Sequence, residues 1–486
     1  MLLPIKFKLP IWIRKRTSMI RQSYLQVTPT HRISGRASIP SSKPETQRAI
    51  LAATLAKGRS LVFNDLRCVE TSTMKEACRT IGAVIDEKDG YLEIHGVGRD
   101  LEIGRRMIDA LGSGLVFRVL TALTCFAPSP SVITGDVILR NRVMSPLFDA
   151  LAQLGANIEC IADEGKAPIV NWGGGLRGGR CVLPGNVSSQ FITAVLFAAP
   201  LADHPTSIHI EGEILSISYI RQTIETLRIA GITVNVSDDF SRIEVSPGEY
   251  QPAEYRVSGD YTSSSYVIGA ASLFQGTTIL ENMNSESLQG ERAIIDVVKA
   301  LGLTVEFDDK NNRLVLTNPH PVATGNFEFD ASDYPNIVPT LAAIGAYVKG
   351  SFRVVGGSIT RLHKSPRIKA MVNELASLGV NIKPLYKDGV YDGFEIHGNG
   401  EPYMGGATLS SWGDHRIFMS LFVASLRCRQ PNLLDGYQDV SLSFPDFFEQ
   451  FSLLGVSSRE MGHSDEKSGD LPQADENDNV LVLQSR

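Results

Sequence analysis

Apolar positions along the chain follow one pattern that occurs six times. In each copy, apolar residues at helical spacing lead into a glycine, and a β-branched run of strand type follows. A glycine at such a corner typically ends a helix, because it adopts the left-handed backbone conformation without a steric penalty. Successive corners lie 71 to 77 residues apart, and this fixed period predicts one α/β unit used six times. The corner glycines are Gly82, Gly155, Gly231, Gly302, Gly379 and Gly455.

The copies divide into two sets of three, which predicts two similar domains. The turn-rich segment 246–260 separates the sets, and the strand-like stretch before Pro40 is assigned to the later set. The chain would then cross between domains near Pro40 and again near Ser258, forming a hinge beside a ligand-binding cleft. The predicted parts are a basic N-terminal extension (1–24), domain one (25–39 plus 258–457), domain two (40–257) and a disordered acidic tail (458–486).

Composition and charge narrow the class of protein. The 486 residues are 43% apolar, which is ample for large cores, and the net charge of -6 does not favour a nucleic-acid binder. No apolar run approaches the roughly 20 residues that cross a bilayer. Six cysteines without a CxxC pair predict reduced thiols in a cytoplasmic protein. The basic N-terminus is poor in serine, so an extension or a misassigned start is favoured over an organelle-targeting segment.

Charged and hydroxyl side chains gather at the junctions between units, where helices are predicted to begin. Cations beside the free N–H groups of a helix start suit an anionic ligand, although each junction alone also fits an ordinary helix cap or a solvated helix end. Nine histidines without paired spacing predict no metal site. The junctions are Lys43 to Arg48, Gly112 to Gly114 with Arg118, Arg140 to Arg142, Ser188 to Gln190, Arg361 to Arg367, and Trp412 to Arg416.

Taken together, these junctions resemble the family of 5-enolpyruvylshikimate-3-phosphate (EPSP) synthase, an enolpyruvyl transferase. The resemblance covers roughly residues 25 to 455 and includes SSQF (188–191), GDHR (413–416), SFPDFFEQ (443–450) and YPNIVPTLAAIGAYVKG (334–350). It implies an α/β fold, the two-domain inside-out α/β barrel, with six βαβαββ repeats, three per domain. The sixfold glycine pattern agrees with this fold and is independent of the motifs.

The resemblance also implies which residues bind the ligands between the lobes. In the family, a phosphorylated cyclic alcohol adds to the enol carbon of phosphoenolpyruvate, and phosphate then leaves. The residues that match the phosphoenolpyruvate ligands are Lys43, Gly114, Arg142, Gln190, Arg367 and Arg416. Those that match the ligands of the ring or its phosphate are Arg48, Ser188, Ser189, Gln190, Ser216 and Tyr219, to which Arg221 is added as a further basic residue.

The sequence departs from the family pattern at the residues that move protons. Asn336 replaces an aspartate that orients or deprotonates the attacking hydroxyl, and an amide cannot accept a proton at neutral pH. Lys364 replaces a glutamate implicated in proton transfer to the enol, or a gap removes that glutamate. The expected substitutes are Asp333, Asp414, His363 and Lys364, and Lys43 completes the set of predicted catalytic residues. Smaller departures are Pro44, Gly112, Leu115 and Leu442.

Three functions follow from this combination of kept and lost residues. A diverged enolpyruvyl transferase is favoured, because the four matching cations have no obvious use unless an anion binds. A repurposed enzyme that eliminates phosphate from a shikimate-3-phosphate-like compound would need the ring site alone. A non-catalytic binding protein would explain the loss of both carboxylates. We expect small anionic substrates, no cofactor, no nucleic-acid or membrane partner, and a monomer.

Overall fold

The structure is a computed structural model that describes residues 23–102 and 107–461. Residues 1–22 of the predicted extension and 462–486 of the predicted tail lie outside the described residues. In the described part, no helix is both long and apolar enough to cross a membrane.

Thirteen α-helices are found in the described residues. They are α1 (Lys43–Leu55), α2 (Val69–Thr80), α3 (Gly114–Leu123), α4 (Val137–Arg140), α5 (Ser145–Gln153), α6 (Ser189–Ala198), α7 (Ile217–Ile229), α8 (Tyr261–Ser272), α9 (Ile294–Ala300), α10 (Val338–Gly345), α11 (Arg367–Ser377), α12 (His415–Ser425) and α13 (Phe447–Leu453). Short 3-10 helices at Gly290–Ala293, Pro335–Ile337 and Ser358–Leu362 lie near the site described below.

The same part of the chain contains 24 strands. They are β1 (Tyr24–Val27), β2 (Gly35–Ser38), β3 (Gly58–Phe63), β4 (Val84–Glu87), β5 (Tyr91–Gly96), β6 (Met107–Asp109), β7 (Ser131–Thr134), β8 (Ile158–Cys160), β9 (Ile169–Asn171), β10 (Gly179–Pro184), β11 (Thr206–Glu211), β12 (Val234–Val236), β13 (Arg242–Val245), β14 (Glu254–Arg256), β15 (Gly276–Glu281), β16 (Thr304–Asp308), β17 (Arg313–Asn318), β18 (Thr324–Asp330), β19 (Lys349–Val355), β20 (Ile382–Lys387), β21 (Val390–Asn399), β22 (Thr408–Leu409), β23 (Asn432–Asp435) and β24 (Ser458–Met461).

The strands form six four-stranded sheets of one design, which confirms the sixfold repeat. Each sheet contains one parallel and two antiparallel pairings. The strand orders are β14-β3-β5-β4, β6-β7-β9-β8, β10-β11-β13-β12, β2-β15-β17-β16, β18-β19-β21-β20 and β22-β23-β1-β24. All six corner glycines have positive φ, from +77° to +109°, so each adopts the backbone conformation predicted for it.

Buried apolar side chains form two clusters. One draws its residues from between Ala49 and Val257, and the other from Leu25 to Ile39 and Tyr261 to Val456. Strands β1 and β2 therefore pack with the C-terminal half of the chain. Strand β24 (Ser458–Met461) pairs with β1, so the predicted disordered tail does not begin at Ser458, and the other domain bounds stay a prediction.

The chain passes between the two clusters twice, and the passages lie side by side. Ser42 donates its backbone N–H to Ser258 O at 2.7 Å, and Asp260 N donates to Pro40 O at 2.9 Å. Asp260 also caps α8, because its side chain accepts from Ser263 N. The two passages and the starts of α1 and α8 thus form one hydrogen-bonded region.

Candidate active site

A cavity of about 430 Å³ lies between elements of both clusters. Helices α1, α3, α6 and α7 contribute from the first cluster, and α11, α12 and the 3-10 helices at Pro335–Ile337 and Ser358–Leu362 contribute from the second. Volumes of this size hold small-molecule ligands, and sites between lobes are common for such ligands.

Six helices begin at this cavity. Lys43, Gly114, Ser189, Arg367 and His415 are the first residues of α1, α3, α6, α11 and α12, and all of them line it. Ser216, which precedes α7, lines it as well. The first N–H groups of a helix have no partner within the helix and carry partial positive charge. The helix starts therefore contribute a positive potential that favours anions in the cavity.

Cationic side chains add to this potential. Among the described residues that line the cavity, eight are Lys or Arg and one is acidic, Glu70. An excess of this size in a partly buried space favours a ligand with several negative charges. The eight are Lys43, Arg48, Arg118, Arg142, Arg361, Lys364, Arg367 and Arg416.

Two of these cations are held by carboxylates. Lys43 Nζ lies 3.1 Å from Glu70 Oε2, and Arg367 Nε donates to Asp414 Oδ2 at 2.8 Å. Burial works against ionisation of Asp414, but Arg367 outweighs it and holds the pKa of this carboxyl well below its usual range. Asp414 is therefore a weak base that fixes the orientation of Arg367.

Among the described residues, Arg118 has no carboxylate partner. Its guanidinium donates to Gln190 Oε1 and lies over the Phe191 ring, 5.1 Å from the centroid. Burial, together with the charge of Arg142, lowers the pKa of Arg118 to about 9. A nearby anion would reverse both effects, because it compensates a charge that water no longer solvates.

Hydroxyl groups occupy another part of the lining. The Ser188 side chain accepts from Gln190 N at 3.3 Å and so caps α6. Ser216 has a left-handed backbone, with φ of +60°. Tyr219, about one turn further along α7, also lines the cavity. The serine hydroxyls can donate to phosphate or ring oxygens.

The residues at the two diverged positions also line the cavity. Burial lowers the pKa of Lys364, and the charge of Lys43 lowers it further, although Glu70 opposes the shift. His363 Nδ1 accepts from Arg367, and burial holds the pKa of this imidazole well below its usual value. His363 is therefore neutral at pH 7, while Asn336 Oδ1 accepts from Arg367 Nη1 at 2.9 Å.

Most of the sequence-predicted site residues meet in this one cavity. Asp333 and Arg221 lie outside the lining. The Asp333 carboxylate accepts from Ser218 N at 2.7 Å near the start of α7, so it stabilises a helix end and is a poor substitute base. Arg221 is exposed and lies over the Phe240 ring, 5.2 Å from its centroid. The residues that do meet are Lys43, Arg48, Gly114, Arg142, Ser188, Ser189, Gln190, Ser216, Tyr219, Asn336, His363, Lys364, Arg367 and Arg416.

Two carboxylates near the site were missed in the sequence. Glu70 lines the cavity beside Lys43, and Glu291 is buried behind Asn336. No local pattern distinguishes either residue from an ordinary glutamate near a helix start. Only the folded chain brings them to the site.

Relatives of known name match nearly the whole chain. The family model described as EPSP synthase (3-phosphoshikimate 1-carboxyvinyltransferase) matches residues 27–451. The 3-phosphoshikimate 1-carboxyvinyltransferase of Methanosarcina acetivorans is 34% identical over 431 residues, which are 88% of this chain and 97% of the relative. The enzyme of the same name from Methanothermobacter thermautotrophicus is 34% identical over 431 residues, 89% of this chain and 98% of the relative.

A solved structure is similar over the same range. The EPSP synthase from Acinetobacter baumannii superposes with a TM-score of 0.77 at 24% identity and covers 90% of this chain and 100% of its own. This likeness concerns the fold, and it confirms the predicted two-domain inside-out α/β architecture.

Proposed function

This chain belongs to the EPSP synthase family of carboxyvinyl transferases, and on that premise we propose that it transfers the enolpyruvyl group of phosphoenolpyruvate to a phosphorylated shikimate-type cyclic alcohol. The observation that carries the proposal is the charge of the cavity, where eight Lys or Arg side chains face one glutamate. Phosphoenolpyruvate carries a carboxylate and a phosphate, and the ring carries a second phosphate. Together they match this excess of positive charge.

The arrangement of the lining supports two adjoining subsites. Lys43, Arg142, Arg367 and Arg416 suit the compact dianion, since arginine matches carboxylate and phosphate through paired N–H donors. The Ser188, Ser189 and Ser216 side, with Arg48 behind it, suits the ring phosphate. Gln190 lies between the two, next to Arg118.

The reaction has two steps, and its atoms balance within this cavity. The ring hydroxyl oxygen bonds to the central carbon of phosphoenolpyruvate while the methylene carbon takes a proton. Phosphate then leaves with the proton that the ring hydroxyl gave up, and the methyl group returns the other proton to restore the double bond. Lys43 and Lys364 are the lining lysines that can give and recover this proton, and the lowered pKa of Lys364 favours that exchange.

Phosphorus NMR of the purified protein with shikimate 3-phosphate tests the proposal. Inorganic phosphate is expected only when phosphoenolpyruvate is also present. Phosphate from the ring compound alone would replace transfer by elimination, and line broadening without turnover would indicate a binding protein.

Arg142→Gln tests the proposed phosphoenolpyruvate subsite, and Arg228→Gln is its control. Loss of a charge-assisted hydrogen bond of about 1.5–3 kcal/mol is expected to raise the KM for phosphoenolpyruvate about 10- to 100-fold. Arg228→Gln, on the exposed end of α7, removes an equal charge far from the cavity and is expected to leave the KM unchanged.

A further inference from the structure

A buried carboxylate lies directly behind the wall formed by Tyr219 and Asn336. Tyr219 Oη donates to Glu291 Oε1 at 2.6 Å, and Asn336 Nδ2 donates to the same oxygen at 2.9 Å. Glu291 is only 1% exposed and does not line the cavity, whereas Tyr219 and Asn336 both do. Its contact with the cavity therefore passes through these two side chains.

The hydrogen bonds fix the orientation of the Asn336 amide. Arg367 only donates, so it must meet Oδ1, which leaves Nδ2 to donate to Glu291. An aspartate at position 336 would instead place a carboxylate oxygen against Glu291. Two carboxylates in contact cannot both ionise, because like charges at this distance raise one pKa strongly. The amide at 336 and the carboxylate at 291 therefore form a matched pair.

We propose that Glu291 replaces the carboxylate absent from position 336 and receives the proton of the attacking hydroxyl through Tyr219. This inference rests on the transferase function proposed above. The ring hydroxyl donates to Tyr219 Oη, which already accepts from Asn336 Nδ2. As the ring oxygen bonds to the enol carbon, its proton moves to Tyr219 Oη and the tyrosine proton moves to Glu291.

The second half of the reaction restores the pair. When the carbon–phosphate bond breaks, the proton on Glu291 returns through Tyr219 and leaves on the departing phosphate. The ring hydroxyl proton thus ends on inorganic phosphate, and no other reagent is needed. Glu291 acts through Tyr219 and never touches the substrate, so it is a positioning residue that also stores a proton.

The surroundings of Glu291 suit this task. Burial raises the pKa of the Glu291 carboxyl, which makes it a stronger base than an exposed glutamate, while hydrogen bonds from Tyr219 and Asn336 and the charge of Arg416 lower the pKa in part. Burial and the charge of Glu291 raise the pKa of Tyr219, and Asp260 acts in the same direction, so the phenol keeps a proton to pass on.

A reciprocal exchange of the two groups tests the proposal. Glu291→Gln is expected to lower kcat about 10²- to 10⁴-fold, the usual effect of losing a general base, with little change in the KM for phosphoenolpyruvate. Asn336→Asp alone is also expected to lower kcat, because its carboxylate faces Glu291. The double variant E291Q/N336D restores one amide and one carboxylate, so it is expected to recover most of the activity lost by E291Q.

The pH profile gives a readout that loss of structure would not produce. A base must be ionised to accept a proton, so kcat rises with pH through the pKa of the accepting carboxyl. In E291Q/N336D that carboxyl lies beside Arg367, and the acid limb of the profile is expected to move to lower pH. Tyr219→Phe removes the relay oxygen while keeping Glu291, and it serves as the test if E291Q does not fold.

The outcomes separate this inference from the proposed function. Absence of phosphoenolpyruvate-dependent phosphate release by the wild-type protein would overturn both. Wild-type turnover with E291Q and Y219F both within about threefold of normal kcat would overturn the relay alone. A double variant no more active than E291Q would do the same.

Discussion

At the scale of single residues, Gly114 is defined by the space that a side chain would take. A Cβ atom there would lie 2.5 Å from Arg118 Nη1, 3.1 Å from Arg142 Nη1 and 3.2 Å from Gln190 Oε1. Glycine is not required by the backbone, since Gly114 is the first residue of α3 and its φ is not positive. Its role is to leave room for the two guanidinium groups and the amide that converge on its α-carbon.

Gly114→Ala is expected to displace these groups from the anion subsite. The KM for phosphoenolpyruvate is expected to rise at least about tenfold, since the loss of one charge-assisted hydrogen bond costs about 1.5 kcal/mol or more. The measurement is steady-state phosphate release. Gly248→Ala is the control, because its Cβ would meet other atoms only at 3.4 Å or more. Equal KM values for the two variants would contradict this account.

Single residues also show how far sequence reasoning reaches into the site. Most of the cavity-lining cations could be predicted, because each lies in a short motif near a helix start. Glu70 and Glu291 could not, because they reach the site only through tertiary contacts with Lys43 and Asn336. Asp333 is predicted as a substitute base because it lies close to Asn336 in the chain, but the structure places it outside the cavity lining. It bonds to the start of α7 instead.

At the scale of elements, the two passages between clusters are tied together by one carboxylate. Glu45 on α1 accepts from Ser258 N at 3.0 Å and from Gln289 Nε2 at 2.8 Å, and also from the Ser258 hydroxyl. Burial raises the pKa of Glu45, while these hydrogen bonds oppose the shift. The Glu45 carboxylate thus connects α1 to the passage at Ser258 and to the loop of the second cluster that contains Gln289.

Glu45→Ala is expected to destabilise the fold by about 1–3 kcal/mol, because it leaves buried donors without an acceptor. The urea midpoint of unfolding measures the effect. Glu76→Ala on the exposed face of α2 removes a surface ion pair with Arg79, and we expect a change below about 1 kcal/mol. If Glu45→Ala lowers the urea midpoint no more than Glu76→Ala does, the Glu45 hydrogen bonds do not stabilise the two passages between the clusters.

The helices and strands could be predicted more readily than the pairing between strands. Corner glycines are local signals, so six helix-to-strand units follow from spacing alone. The pairing of β14 with β3 is not local. Tyr255 lies opposite Val62 in the sheet, although most of the residues of the first cluster separate the two along the chain. Such pairings depend on how the helices pack, which no short segment encodes.

At the scale of the whole molecule, the cavity concentrates positive charge inside a chain whose net charge is negative. Six helix starts and eight cations repel one another there, and this repulsion opposes folding. Any anion that binds the folded cavity, and not the unfolded chain, stabilises the protein by mass action.

Inorganic phosphate is therefore expected to raise the melting temperature, whereas chloride at equal ionic strength has little effect. At about 100 times its Kd, one bound ligand adds roughly 2.7 kcal/mol. Thermal unfolding with increasing phosphate measures the shift, and Arg142→Gln is expected to reduce it. An equal response to chloride would mean that general screening, and not the cavity, accounts for the stabilisation.

The same concentration of charge has a consequence for how long the protein survives in a cell. Proteases degrade molecules that unfold transiently, so a change of about 1–2 kcal/mol in the free energy of unfolding alters the abundance of a protein several-fold. Copies whose cavity is filled by phosphorylated metabolites would be spared, and copies made when those metabolites are scarce would be removed sooner. The amount of enzyme would then follow the supply of its substrates without any change in gene expression.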